Sequence, residues 1–203
     1  MNTSFDDFEK NLSIITFNYD RSLEFYLYTA LKHKFPGKKE EEYKNKLDSI
    51  TIIHIYGKLG YLPWESKEDK KTVPYNYSFD NSGQDIRKLY ENKIMIQNIS
   101  KEIKIIHEEE KIENPAQIRI LLKNAKRIFF LGFGFNPINL ERLFGDLQRS
   151  DSEIRGTMYN MSLSAKRKAQ RILKNFQTQS VWNWEKQFPD TTIYDFLYNH
   201  ITL

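Results

Sequence analysis

The stretch RIFFLGFGFNPINLERLF, residues 127 to 144, sets an apolar run, a glycine turn and a helical pattern end to end. Residues 127–133 read as a strand buried on both faces, the kind found in an α/β protein. Beyond Gly134, Asn136 suits a helix N-cap and Pro137 the first helical position. Leu140, Leu143, Phe144 and Leu147 then recur at helical spacing. A strand, a glycine turn and a capped helix present backbone N–H groups to an anion. Gly132-x-Gly134 lacks the third glycine of the dinucleotide fingerprint, however. Phe133 and Phe135 are equally consistent with a turn that packs into the core, and both readings stand at this point.

Two earlier segments repeat the pattern. LSIITF, residues 12–17, is an apolar β-prone run that ends in NYDRS, after which Leu23, Leu27, Ala30 and Leu31 fall on one helical stripe. Asn18, Tyr19 and Asp20 therefore sit at a strand tip, and in open α/β sheets ligands bind beyond the carboxyl ends of strands. Asp20 also reads as an N-cap. Asn18 offers both a donor and an acceptor to a ribose or an amide. The charge-dense segment 36–48 reads as a solvated helix or loop. SITIIHIYGKLG, residues 49–60, is the next strand and breaks at Gly57 after His54 and Tyr56. In a strand those two rings share one face. They suit either a hydrogen-bonded core or a general acid–base role.

Composition bounds the rest. The 203 residues suffice for one domain and a sizeable core, and 39% hydrophobic with 14% aromatic residues fits a folded globule. Without cysteine there is no disulfide framework or thiolate metal site, and no metal is expected; the plain reading is a cytoplasmic protein. No run of about 20 apolar residues is present to span a membrane, and the first residues do not form a signal peptide. A net charge of +4 is mild. Residues 61–83 read as a long loop, 84–95 as a helix, and 102–113 as either strand or helix. The pattern gives a helix over 115–125, a fourth strand over 153–161, a helix over 163–176 and a final amphipathic helix near the C-terminus. The basic residues Lys166, Arg167, Lys168, Arg171 and Lys174 on the 163–176 helix read as solvated surface, and nucleic acid is not expected.

Taken in order, TFNYD at 16–20, IYG at 55–57 and GFGFNPIN at 132–139 resemble the strand ends of bacterial sirtuin-like (silent-information-regulator-like) domains. The resemblance spans roughly residues 10 to 160. It implies an α/β, Rossmann-like three-layer domain with a mainly parallel sheet that binds NAD or a related ADP-ribosyl nucleotide, as substrate or ligand. In such relatives, often linked to anti-phage defence, the chemistry is cleavage of the nicotinamide glycosidic bond, so an active chain would be an NAD glycohydrolase, a hydrolase. By position Asn18, His54 and Tyr56 would be catalytic. Thr16, Asn18, Asp20, Gly57, Gly132, Phe133, Gly134, Phe135, Asn136 and Asn160 would line the nucleotide. The chain departs from the pattern at Tyr56, where the family has its catalytic histidine, and nothing before residue 12 supplies the family's glycine loop. The expectation is a domain N-terminally truncated relative to the family, comprising residues 1–203. Residues 61–114 would be an inserted loop or subdomain, and 162–203 a helical extension. A second copy, a missing N-terminal segment or a partner chain would cover the open sheet edge. Catalytic activity stays open, beside the alternative of a non-catalytic nucleotide sensor or protein-interaction module.

Overall fold

A computed structural model of the protein describes residues 4–7, 11–65, 93–94, 96–97, 114–145, 147, 151–176 and 183–201. The chain forms two compact units, Met1–Asn114 and Pro115–Leu203. Each combines helices with one pair of parallel strands, an α/β arrangement in which every pair is joined through helix. Most of the expected insertion at 61–114 lies outside the described residues, including the ambiguous segment 102–113.

In the first unit, β1 (Ser13–Thr16) leads through α1 (Ser22–Lys34) and α2 (Glu40–Asp48) into β2 (Thr51–His54). The strands pair in parallel from Ser13↔Thr51 to Thr16↔His54. Parallel neighbours require such a crossover, and here the crossover carries the core. Tyr28, Leu31, Tyr43, Leu47 and Ile50 are buried together, with Ile14, Ile52 and Trp64 packed against them. Trp64 stacks on Tyr28 with ring centroids 3.9 Å apart. The charge-dense segment 36–48 forms α2 because Tyr43 and Leu47, four residues apart, give it a buried edge.

Two expectations change here. The buried face of α1 runs through Glu24, Tyr28 and Leu31, whereas Leu23, Leu27 and Ala30 are only half-buried. The face is turned by about one residue, or 100°, from the aliphatic stripe because ring packing and a charged network outweigh it. Strand β2 also ends at His54, so Tyr56 does not share a strand face with it. Ile55 still donates its N–H to the Thr16 carbonyl at 3.0 Å, but Gly57 N–H turns back to the His54 carbonyl at 3.3 Å. Gly57 has φ +86°, a left-handed conformation that favours glycine and closes the turn.

In the second unit, α3 (Pro115–Asn124) leads to β3 (Arg127–Phe130), α4 (Pro137–Phe144), β4 (Glu153–Gly156) and α5 (Leu163–Phe176). Two further helices follow, α6 (Trp184–Gln187) and α7 (Ile193–Asn199). β3 and β4 pair in parallel from Arg127↔Glu153 to Phe130↔Gly156. Successive strand side chains face opposite ways. Phe130 accordingly meets Phe144 of α4, while Phe129 meets Phe196 of α7. Helices thus cover both faces of this pair. The cap expected at Asn136 is formed, its side chain accepting the Ile138 N–H at 2.9 Å ahead of Pro137. No helix of the described residues is long and apolar enough to cross a membrane.

Gly156 is where the strand pair is tightest. A Cβ there would lie 2.5 Å from the Phe130 carbonyl oxygen and 2.7 Å from the Phe130 Cβ. Both are atoms of the paired strand and cannot swing aside. Gly156→Ala is therefore expected to destabilise the protein by about 1–3 kcal/mol, the usual cost of overpacking. Urea unfolding of the two proteins checks this, and an unchanged midpoint would contradict the strand spacing.

Candidate functional site

The carboxyl ends of β1 and β2 hold a buried ionic network in the first unit. His54, the last residue of β2, has its side chain fully enclosed. Its Nδ1 lies 2.8 Å from the Asn18 carbonyl oxygen and its Nε2 2.9 Å from Glu24 Oε1. Glu24 reaches it from the buried face of α1 and also accepts from Arg21 Nε at 2.6 Å. Arg21 extends the network by donating to Glu65 Oε1 at 2.7 Å and to the Gly60 carbonyl at 3.3 Å. Glu65 in turn accepts the Leu62 N–H at 2.8 Å. The segment after β2 is thereby tied back to the start of α1.

Burial works against the ionised carboxyl of Glu24. The hydrogen bond from His54 and the positive charge of Arg21 outweigh it and lower its pKa to about 2. Arg21 is likewise disfavoured as a cation by burial, but Glu65 and Glu24 raise its pKa. A buried ion pair depends on how its remaining polar atoms are satisfied: the Arg21 fork is engaged along both arms, whereas Glu24 Oε1 takes both bonds and Oε2 is buried with no hydrogen-bond partner among the described residues.

Above this network stands the tip of β1. The Asn18 backbone is held at both ends, its N–H by Thr16 Oγ1 at 3.1 Å and its carbonyl by His54. Its side chain is exposed, and among the described residues its amide makes no hydrogen bond. Tyr19 is exposed beside it and fixed through its carbonyl, which accepts the Leu59 N–H at 2.6 Å. Asp20 does anchor the helix start, but from one residue before the cap position at Arg21. Its carboxylate accepts the Ser22 N–H at 3.0 Å, and hydrogen bonding from the Ser22 side chain, then from this N–H, lowers its pKa. Tyr56 is buried, its ring edge-on to Phe17 with centroids 5.7 Å apart. Thr16, Asn18 and His54 are thus brought together by direct bonds, whereas the Tyr56 ring is turned into the core.

The remaining candidates belong to the second unit. Phe135 is buried and Phe133 half-buried, and their rings pack against Phe130 and each other. The glycine turn therefore anchors in the core through both phenylalanines, while Gly132 and Gly134 stay exposed. Phe135 itself adopts φ +50°, an unusual conformation for a bulky residue, and Phe188 packs against its ring. The Gly132 N–H is taken by Thr157 Oγ1 at 3.2 Å and the Ile138 N–H by Asn136. Two of the amides expected to face an anion are thus used within the protein. Asn160 is exposed at φ +54°, its N–H donating to Asp190 Oδ1 at 2.8 Å.

Reasoning from the sequence did not single out Arg21, Glu24 or Glu65. Glu24, Tyr28 and Leu31 do share a helical face by spacing, the one local signal that was present. Among the described residues no group of three or more His, Cys, Asp or Glu side chains is placed to hold a metal ion. No protein-family model, curated protein or solved structure matches the chain.

Removing the Glu24 carboxylate would leave Arg21 and His54 buried without their shared partner. Glu24→Ala is expected to cost about 3–5 kcal/mol in unfolding free energy. The wild-type carboxylate also sets a pH window. Its contribution is complete above its ordinary value of 4.5 and fades as pH falls through about 2. The full effect is about 3 kcal/mol. Unfolding curves for wild type and Glu24→Gln should therefore converge as pH is lowered from 6 to about 2. A constant gap between them would contradict this assignment.

Proposed function

We propose that the protein is a non-catalytic module that binds NAD or a related ADP-ribosyl nucleotide, with Asn18 as a contact residue. The observation that carries this reading is the state of Asn18. Its backbone is clamped at N–H and carbonyl while its side-chain amide is exposed and, among the described residues, makes no hydrogen bond. A side-chain amide carried on a fixed backbone can donate and accept toward a ribose or carboxamide with the backbone part of the ordering cost already met. Its position beyond the carboxyl end of a parallel strand is where α/β folds place ligands.

In this reading His54 is a positioning residue. A general base must reach the proton it abstracts. His54 is 1% exposed, and its two nitrogens face an acceptor each within the protein. Tyr56 stands where the sirtuin-like pattern has its catalytic histidine, but it is 4% exposed and a phenol is a poor base near neutral pH. The Rossmann-like, sirtuin-like ancestry belongs to this proposal, supported by the parallel strands with helical crossovers.

Thermal unfolding with NAD and with ADP-ribose, with nicotinamide release followed in the same samples, tests the proposal. The expected result is stabilisation without release, reaching about 2.7 kcal/mol at a hundredfold excess over Kd. Asn18→Ala should lose that stabilisation while its unliganded stability stays within about 0.5 kcal/mol of wild type. Release of nicotinamide that Asn18→Ala abolishes would instead make the protein a glycohydrolase. The absence of a shift with either nucleotide would overturn the binding reading.

A further inference from the structure

The charge of the chain is unevenly distributed. Residues 115–203 carry 13 Lys and Arg against 7 Asp and Glu, whereas residues 1–114 carry 18 against 20. Within the second unit the excess gathers on α5, LSAKRKAQRILKNF, which has five basic residues and no acidic one. Lys166 is bound to Asp190 at 2.6 Å. Arg167, Lys168, Arg171 and Lys174 are all exposed, and among the described residues none of them has an ion-pair or hydrogen-bond partner. Arg167, Arg171 and Lys174 stand four and three residues apart, so they form one row about 10 Å long on the helix surface, with Lys168 flanking it.

The opposite side of α5 fixes the platform. Ala169, Leu173 and Phe176 are buried, and Phe176 packs on Phe144 of α4 with ring centroids 4.2 Å apart. That apolar face is already used within the unit and cannot enter a lipid surface, as an interfacial helix must. Ser164 and Asn175, exposed beside the row, are small and polar, and one leucine, Leu163, is exposed at its N-terminal end. No aromatic ring is available there to stack an unpaired base, the device that single-strand binders rely on. What the face offers is a straight, rigid row of exposed cations, with no partner among the described residues, and four such cations held together are most favourably neutralised by a dense line of phosphates.

We propose that this face of α5 docks on the phosphate backbone of a nucleic-acid duplex, independently of base sequence. The inference stands apart from the nucleotide reading, since it uses none of the strand-tip residues. Its test is the fluorescence anisotropy of a labelled DNA duplex titrated with the full chain between about 50 and 200 mM salt. The expected result is salt-sensitive binding, with a slope of log K against log salt of about −3 to −4 for three or four phosphate contacts. The variant carrying Arg167→Gln, Arg171→Gln and Lys174→Gln should bind at least tenfold more weakly, with its slope reduced toward about −1. A matched variant with Lys123→Gln and Lys126→Gln, exposed cations outside α5, should bind as wild type. Arg171→Glu alone, at an exposed position, gives a second reading of the same face. The proposal is overturned if the duplex does not bind, if the α5 variants keep the wild-type affinity and slope, or if the single strand binds more tightly than the duplex. Binding to anionic lipid vesicles but not to the duplex would likewise overturn it.

Discussion

The first unit depends on a buried carboxylate shared by an arginine and a histidine. Glu24 sits on the inner face of α1 and takes hydrogen bonds from Arg21 and His54. A lone carboxylate in that position would be costly. Because His54 ends β2 and Arg21 precedes α1, the two bonds to Glu24 Oε1 fix the helix against the strand pair. Arg21 then reaches Glu65 and the Gly60 carbonyl, so the loop after β2 is held by the same charge. The tightness of the strand ends therefore comes from electrostatics and hydrogen bonding, while the aromatic cluster around Tyr28 and Trp64 supplies the apolar burial.

That constraint also separates structure from chemistry at the strand tips. A histidine near a strand-ending glycine suggests a base, but its surroundings decide what it can do. Here one nitrogen holds the Asn18 backbone and the other holds Glu24. The consequence for function falls on Asn18, whose side chain is presented outward from a fixed backbone. In the second unit the same principle acts through rings. Phe133 and Phe135 are drawn into the core, and the two glycines between and before them are left at the surface.

Much of the local structure was legible in the sequence. The four strands lie within the apolar runs that suggested them, and α5 occupies the stretch its periodicity marks. The Asn136–Pro137 helix start was also legible, because capping depends on residues two positions apart. Interactions across longer separations were not. Glu24 meets a histidine 30 residues away, and Arg21 meets a glutamate 44 residues away. A charged residue beside leucines reads as the solvent side of a helix, so the aliphatic stripe of α1 misplaced its buried face. The end of β2 at His54 was hidden for a related reason. Ile55 and Tyr56 continue the apolar alternation, and only the left-handed Gly57 turn shows that the strand has already stopped.

The most direct test of the central network is a double-mutant cycle on unfolding free energy, using Glu24→Gln, His54→Gln and the double variant. If Glu24 and His54 are bound through a buried, charge-assisted hydrogen bond, the cycle should give a coupling of about 1.5–3 kcal/mol. Effects that add to within about 0.5 kcal/mol would mean the two side chains do not support each other. The clamp on Asn18 would then lose its physical basis.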